Sequence, residues 1–185
     1  HRLFPEPVAY IDQNAMIAQF PRSFPFMSTW GVEVYRKKGK PVMADYIRDA
    51  QPPFLLTNRW ALYEAMTSAD VTDHALALLH EDQATLRTSF VHYSGMIWLA
   101  GRAFSVSPEG TRVTLPIPGR YRLESPVSVT IDGRQVSHGN TVEVRDALVV
   151  KGPSGTHLRL IWQPDAPLNH DVLPLGWLYA GFWQI

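Results

Sequence analysis

Apolar and polar positions alternate in short runs along the second half of the chain. Val113, Leu115 and Ile117 form one run, Tyr121 and Leu123 a second, and Val127, Val129 and Ile131 a third. Val142 with Val144, and Leu158, Leu160 and Trp162, continue the series. Turn residues separate the runs: Pro118-Gly119, Asp132-Gly133, Gly139-Asn140 and Gly152-Pro153-Ser154-Gly155. A period of two marks strands with one face buried, and many short strands at close spacing mark an antiparallel sandwich or partly closed barrel. Ile131-Asp132-Gly133-Arg134 is a strong hairpin signal. Pro118-Gly119 predicts a type II turn, with proline setting φ and glycine taking the positive φ that follows.

The first half changes period. Met43, Ile47 and Ala50 stand at helical spacing, Pro41 fits a first helical position, and Gln51-Pro52-Pro53 stops the helix. Phe54 to Thr57 then reads as a short buried strand ending at Asn58. Residues 59–80 predict two helical pieces. The first takes Trp60, Tyr63 and Met66 as its apolar face; the second is capped by Asp70 or Thr72. A strand follows at Phe90 to Tyr93. The next, Met96 to Ala100, lies between Gly95 and Gly101 and is apolar on both faces, as a strand at the seam of two layers would be. Residues 1–30 are rich in proline and rings (Phe4, Tyr10, Phe20, Phe24, Phe26), with a short helix expected from Ile11 to Gln19. This segment reads as an arm packed over the core, each ring burying about 150–250 Å², or alternatively as a surface that meets another part of a longer protein.

The expected fold class is therefore α+β. A small α/β part with its aromatic arm spans residues 1–92. An antiparallel β-sandwich, jelly-roll-like, spans 93–165. A proline- and aromatic-rich tail, 166–185, is expected to pack back on the body.

Composition narrows the function classes. The 185 residues are 45% hydrophobic and carry no net charge, which suits a packed core and gives no basic excess for nucleic acid. Arg36, Lys37, Lys38 and Lys40 form one basic cluster, read as a solvated helix end. There is no cysteine, so disulfides, thiol catalysis and cysteine-bound zinc are excluded. No run approaches the roughly 20 apolar residues that cross a bilayer. The chain opens on His1 and is expected to be a mature form or a soluble piece of a longer protein.

No catalytic constellation emerges. The seven histidines show neither HxH nor HxxxH spacing, and His74 and His80, six apart, diverge around a helix. His170-Asp171 are chain neighbours and do not face each other as triad members would. Phosphate loops and a GxSxG elbow are absent. Glu81-Asp82 and Asp70/Asp73 sit near expected helix starts, where carboxylates serve as caps. Catalytic residues, metal ligands and cofactors are accordingly not expected. The six tryptophans are the stronger candidates, because sugar rings present apolar C–H faces that stack on exposed aromatic rings. Trp60, with Asn58 and Arg59 beside it, is the leading candidate glycan contact, and Trp30 is another. The ordinary role of tryptophan is packing, and Trp98 and Trp162 on their strands read as core.

Several phrases together resemble the C-terminal extracytoplasmic region of bacterial membrane glycosyltransferases related to the protein O-mannosyltransferases. These are "YIRDAQPPFLLTN" (Tyr46 to Asn58), "LRTSFVHYSGMIWLAG" (Leu86 to Gly101), "IPGRYRLESPVSVTIDGRQVSHGNTVEV" (Ile117 to Val144) and "LYAGF" (Leu178 to Phe182). The phrases are turns, strands and packing aromatics, and none is a catalytic signature. The chain departs from the family where Thr156 separates Gly155 from His157, against a Gly-His pair there. In that family the acidic catalytic residues lie among membrane spans, so no catalytic residue carries over to this chain. The resemblance implies a non-catalytic periplasmic domain held at the inner membrane. Its partners would be the transmembrane part of the same polypeptide and a glycan or glycolipid. The parent protein would be a glycosyltransferase using a polyprenyl-phosphate sugar. An independent carbohydrate-binding or adhesion sandwich, and a soluble hydrolase with an unrecognised site, are the alternatives.

Overall fold

Among the described residues four helices precede and flank ten strands, and the named strands pair antiparallel throughout. The computed structural model describes residues 29–163 together with 4, 6–14, 17 and 20. The elements are α1 (Thr29–Lys38), α2 (Met43–Ala50), β1 (Phe54–Leu56), α3 (Trp60–Thr67) and α4 (His80–Ser89), then β2 (Phe90–Ser94), β3 (Ile97–Ser105), β4 (Thr111–Thr114) and β5 (Gly119–Glu124). The chain continues with β6 (Val129–Ile131), β7 (Arg134–Val136), β8 (Thr141–Val144), β9 (Ala147–Lys151) and β10 (His157–Trp162). A six-stranded sheet runs β1-β3-β10-β5-β8, with β2 also on β3; a four-stranded sheet runs β4-β9-β6-β7. The molecule is α+β with a sandwich-like β part. Among the described residues no helix is long and apolar enough to cross a membrane.

Strand β3 is the seam, as its doubly apolar sequence predicts. Trp98 and Ala100 pack into one cluster while Ile97 and Leu99 pack into another. The register repeats this split on its neighbours. Phe54 pairs with Leu99 and Leu55 with Trp98; on the other strand Val91 pairs with Leu99 and Phe90 with Ala100. The first cluster fills the sandwich with Val113, Tyr121, Leu123, Ile131, Val150, Leu158 and Leu160, and continues under the helices through Leu62, Leu86, Met43 and Tyr35. The expected boundary at 92/93 falls inside β2, and both β1 and β2 add to the sheet that holds β10 and β5.

The second cluster covers the opposite face of that sheet. Phe4 and Tyr10 stack on Phe54 at 4.7 and 5.1 Å, Phe20 meets Phe54 edge-on at 6.1 Å, and Phe4 stacks on Trp162 at 5.6 Å. Phe4, Tyr10 and Phe20 thus form an arm over the sheet, as the density of rings predicts; Phe24 and Phe26 lie outside the described residues. The helix expected at Ile11 does not form there. Ile11 instead makes a parallel bridge to Leu55, donating to Phe54 O at 3.1 Å and accepting from Leu56 N at 2.9 Å. Pairing to a sheet edge satisfies its backbone groups, which a short isolated helix would leave open. The expected packing of the 166–185 tail lies outside the described residues.

Two glycines are required, one by its surroundings and one by its backbone angle. A Cβ on Gly101 would stand 2.3 Å from Leu160 O and 2.9 Å from Val91 Cγ2, so β3 and β10 reach their spacing only with glycine there. Asp132 and Gly133, at φ 46° and 82°, both take the left-handed region of a type I′ hairpin between β6 and β7. Pro118-Gly119 departs from expectation: Gly119, at φ 142°, is already the first residue of β5, paired with Val144. The phrase is closed by Tyr121, fully buried, whose hydroxyl donates to Ile117 O at 2.6 Å.

Helix α2 depends on a carboxylate from elsewhere in the chain. Asp82, in the first turn of α4, is fully buried and accepts from Val42 N and Met43 N at 2.9 and 2.8 Å. It also accepts from the Tyr35 hydroxyl at 2.5 Å. Asp82 therefore caps α2 rather than its own helix, and Pro41 stands just before that cap. Burial first, and the bond to Asp82 second, push the Tyr35 hydroxyl well above its usual range, so it stays a donor.

The second helical piece expected before His80 is absent. Residues 68–79 form a loop pinned by fully buried Gln83, whose Nε2 donates to Thr72 O at 2.7 Å and Leu78 O at 2.8 Å. Neither Asp70 nor Thr72 caps a helix. Asp73 in this loop pairs with Arg36 at 2.6 Å, which holds its carboxyl below the usual range.

Candidate functional site: an aromatic ledge on helix α3

Helix α3 buries a face of small and aliphatic residues. Ala61, Leu62, Ala65 and Met66 are turned inward, which lets the helix lie close on the core. The expected apolar face of Trp60, Tyr63 and Met66 is thus corrected. Trp60 is 63% exposed and Tyr63 51% exposed, and only Met66 of the three is buried. Trp60 and Tyr63, three residues apart on one helix, share the outward face. They are the two aromatics that stand clear of the core among the described residues. Exposing two such rings forgoes several kcal/mol of burial at about 25 cal/mol per Å². Packing therefore does not explain them.

The polar companions of Trp60 come together as well. Asn58 ends the chain segment that leaves β1, where Thr57 N donates to Met96 O at 2.9 Å. Asn58 Nδ2 donates to Asp12 Oδ1 at 2.6 Å, and Asn14 N donates to the same oxygen at 2.6 Å. Arg59 precedes α3 in an extended conformation and donates from Nε to Asn14 Oδ1 at 2.8 Å. Asp12 is buried, at 4% exposure, and braces the two asparagines from below. The arm thus fixes Asn58 and Arg59 at the start of the helix that displays Trp60. Trp30 opens α1, and its side chain lies outside the described residues.

Asp12, Asn14 and Tyr63 are additions that the sequence reading missed. Tyr63 was detectable as the residue three places after Trp60. Asp12 had no local signal, since its bond to Asn58 spans 46 positions.

The other candidates separate in space. His74 Nε2 pairs with Glu64 at 2.6 Å, His80 Nε2 stands 4.0 Å from Asp73, and Asp82 is turned to Tyr35. Among the described residues no three histidines or carboxylates converge on a metal position. Trp98 and Trp162 are partly buried and packed on the core; Trp98 lies edge-on to His92 at 5.1 Å.

The half of the six-stranded sheet not covered by the arm carries an open groove of about 780 Å³. Ala103, Ser105, His157, Arg159, Glu124 and His138 line it. Ser105 Oγ lies 2.9 Å from His157 Nδ1, as expected for residues directly opposite in the β3–β10 register. Glu124 is engaged by Arg122 at 2.9 Å and Arg159 at 3.5 Å, so the groove's carboxylate is held by guanidiniums and not by the imidazole of the pair. His170-Asp171 lie outside the described residues.

Comparison with protein-family models, with curated proteins and with solved structures returns no match. The functional reading therefore rests on the geometry of the chain itself.

Proposed function

We propose that this chain is a non-catalytic glycan-binding module, with the α3 ledge as its contact surface. The observation that carries the reading is the exposure of Trp60, at 63%, on a helix that had aliphatic residues to spare for its buried face. An exposed indole with a second ring on the same helix face offers the platform on which the C–H face of a pyranose stacks. The Arg59 guanidinium and the exposed Asn14 amide supply partners for hydroxyls, while the Asn58 side chain, its Oδ1 buried and its Nδ2 bonded to Asp12, serves to brace them. The bracing of Asn58 and Arg59 by Asn14 and Asp12 supports the reading, since a fixed polar set loses less entropy on binding.

The phrases that resemble those of membrane glycosyltransferases suggest a setting: an extracytoplasmic domain attached to a transmembrane region, holding a glycan or glycolipid acceptor near the membrane active site. Tethering raises the acceptor's effective concentration there without any chemistry in the module. A printed glycan array, read with the wild-type chain and with Trp60→Ala and Tyr63→Ala, tests the binding claim. The reading predicts retention of a subset of glycans by the wild type and its loss in Trp60→Ala at unchanged circular dichroism. No retained glycan, or retention indifferent to both substitutions, overturns it.

A further inference from the structure

The ledge carries a charge selector as well as a stacking platform. Arg59 is tied by one atom only: Nε donates to Asn14 Oδ1, and the terminal Nη1 and Nη2 have no partner among the described residues. With Nε engaged, the guanidinium plane is set, and the remaining edge is the end-on fork of two parallel N–H donors. That fork matches the two oxygens of a planar carboxylate. From this geometry we infer that the α3 ledge selects saccharides bearing a carboxylate, that is, uronic-acid residues, over neutral ones. The inference rests on the glycan-binding reading of the same surface.

Local charge decides between a carboxylate and a more highly charged group. Asp12 lies two hydrogen bonds away through Asn14 and one from Asn58, the chain neighbour of Arg59, so its carboxylate offsets the Arg59 charge. Glu64, on the same helix as Trp60 and Tyr63, is paired with His74. Among the described residues the cluster has no surplus positive charge, so its single fork suits a monoanion better than a phosphate dianion, which needs more donors and more charge. The uronate carboxyl is also rigidly attached to the ring, so fork and indole would engage one sugar together: the carboxylate on Arg59, the C–H face on Trp60.

The test uses uronic-acid oligosaccharides printed beside their methyl esters, which keep ring and linkage and lose only the charge, together with sugar phosphates. The expected result is about tenfold stronger retention of the acids than of the esters or phosphates at low salt. Arg59→Gln should bring acid and ester within about twofold of each other, and Arg59→Lys, with charge but no fork, should recover less than half of the preference. Equal retention of acid and ester that still depends on Trp60 overturns this inference and leaves the glycan-binding reading standing. Preference for the phosphates overturns the charge argument. Retention of nothing on the array overturns both.

Discussion

Replacing Asp82 by alanine tests how the helical layer is held to the sheet. The side chain is fully buried and receives three donors: the Tyr35 hydroxyl, Val42 N and Met43 N. Met43 is completely buried and Tyr35 nearly so, whereas Val42 is only partly covered. A buried donor left unpaired costs about 1–3 kcal/mol, and water can replace the bond at Val42. The lost carboxylate at the α2 N-terminus adds about 0.5 kcal/mol. The expected loss is about 3–5 kcal/mol, a large share of a typical domain stability of about 5–15 kcal/mol. In urea unfolding followed by far-ultraviolet circular dichroism, a slope of about 2 kcal/mol/M turns this into a midpoint shift of about 2 M. Glu81→Ala is the matched control, since Glu81 is the exposed neighbour on the same turn, and it should move the midpoint by less than about 0.3 M. An Asp82→Ala midpoint within about 0.5 M of wild type, with the slope unchanged, would refute the cross-helix cap.

Other consequences follow from the same packing. Phe54 is the ring on which Phe4, Tyr10 and Phe20 converge, so Phe54→Ala should cost about 3–5 kcal/mol and speed limited proteolysis within the first 20 residues; an unchanged cleavage rate would contradict the arm's docking. Asp73 has its carboxyl lowered by Arg36, so its pairing stabilises the fold above about pH 4 and is lost as pH falls through the depressed folded value. The difference in thermal midpoint between wild type and Asp73→Asn should therefore be small and positive near neutrality and vanish in acid. A difference that grows in acid would contradict this pairing.

The strands were readable because each depends on local alternation. Val113, Tyr121, Leu123, Ile131, Leu158 and Leu160 all turn inward as their period requires, and β3 splits its two apolar sets between two clusters. Val127 was the exception: it lies before β6 and is exposed, because the strand begins only at Val129. Helix α3 was located but turned the wrong way, since Trp60 and Tyr63 obey helical spacing as well as Ala61 and Ala65 do. Hydrophobicity alone favours the larger rings, and the choice of small residues for the inward face is made by how closely the helix lies on the core. The loop at 68–79 and the polar cluster of the ledge were hidden for a different reason. Gln83, Asp82 and Asp12 act on backbone and side chains up to 47 positions away, and nothing in their neighbours marks them. The candidate site was thus half legible: Asn58, Arg59 and Trp60 as a run, but not the arm that braces them.

The most direct test of the glycan-binding account is where a bound sugar touches the protein. In ¹⁵N-labelled protein the six tryptophan indole N–H groups are separate reporters. Titration with an array-retained oligosaccharide, or with a uronic-acid trisaccharide, should shift the Trp60 indole together with the backbone amides of Arg59 to Tyr63 and of Asn14. The indoles of Trp98 and Trp162 should hold their positions. Shifts confined to Ser105, His138 and His157 in the sheet groove, with Trp60 unmoved at saturation, would contradict the account.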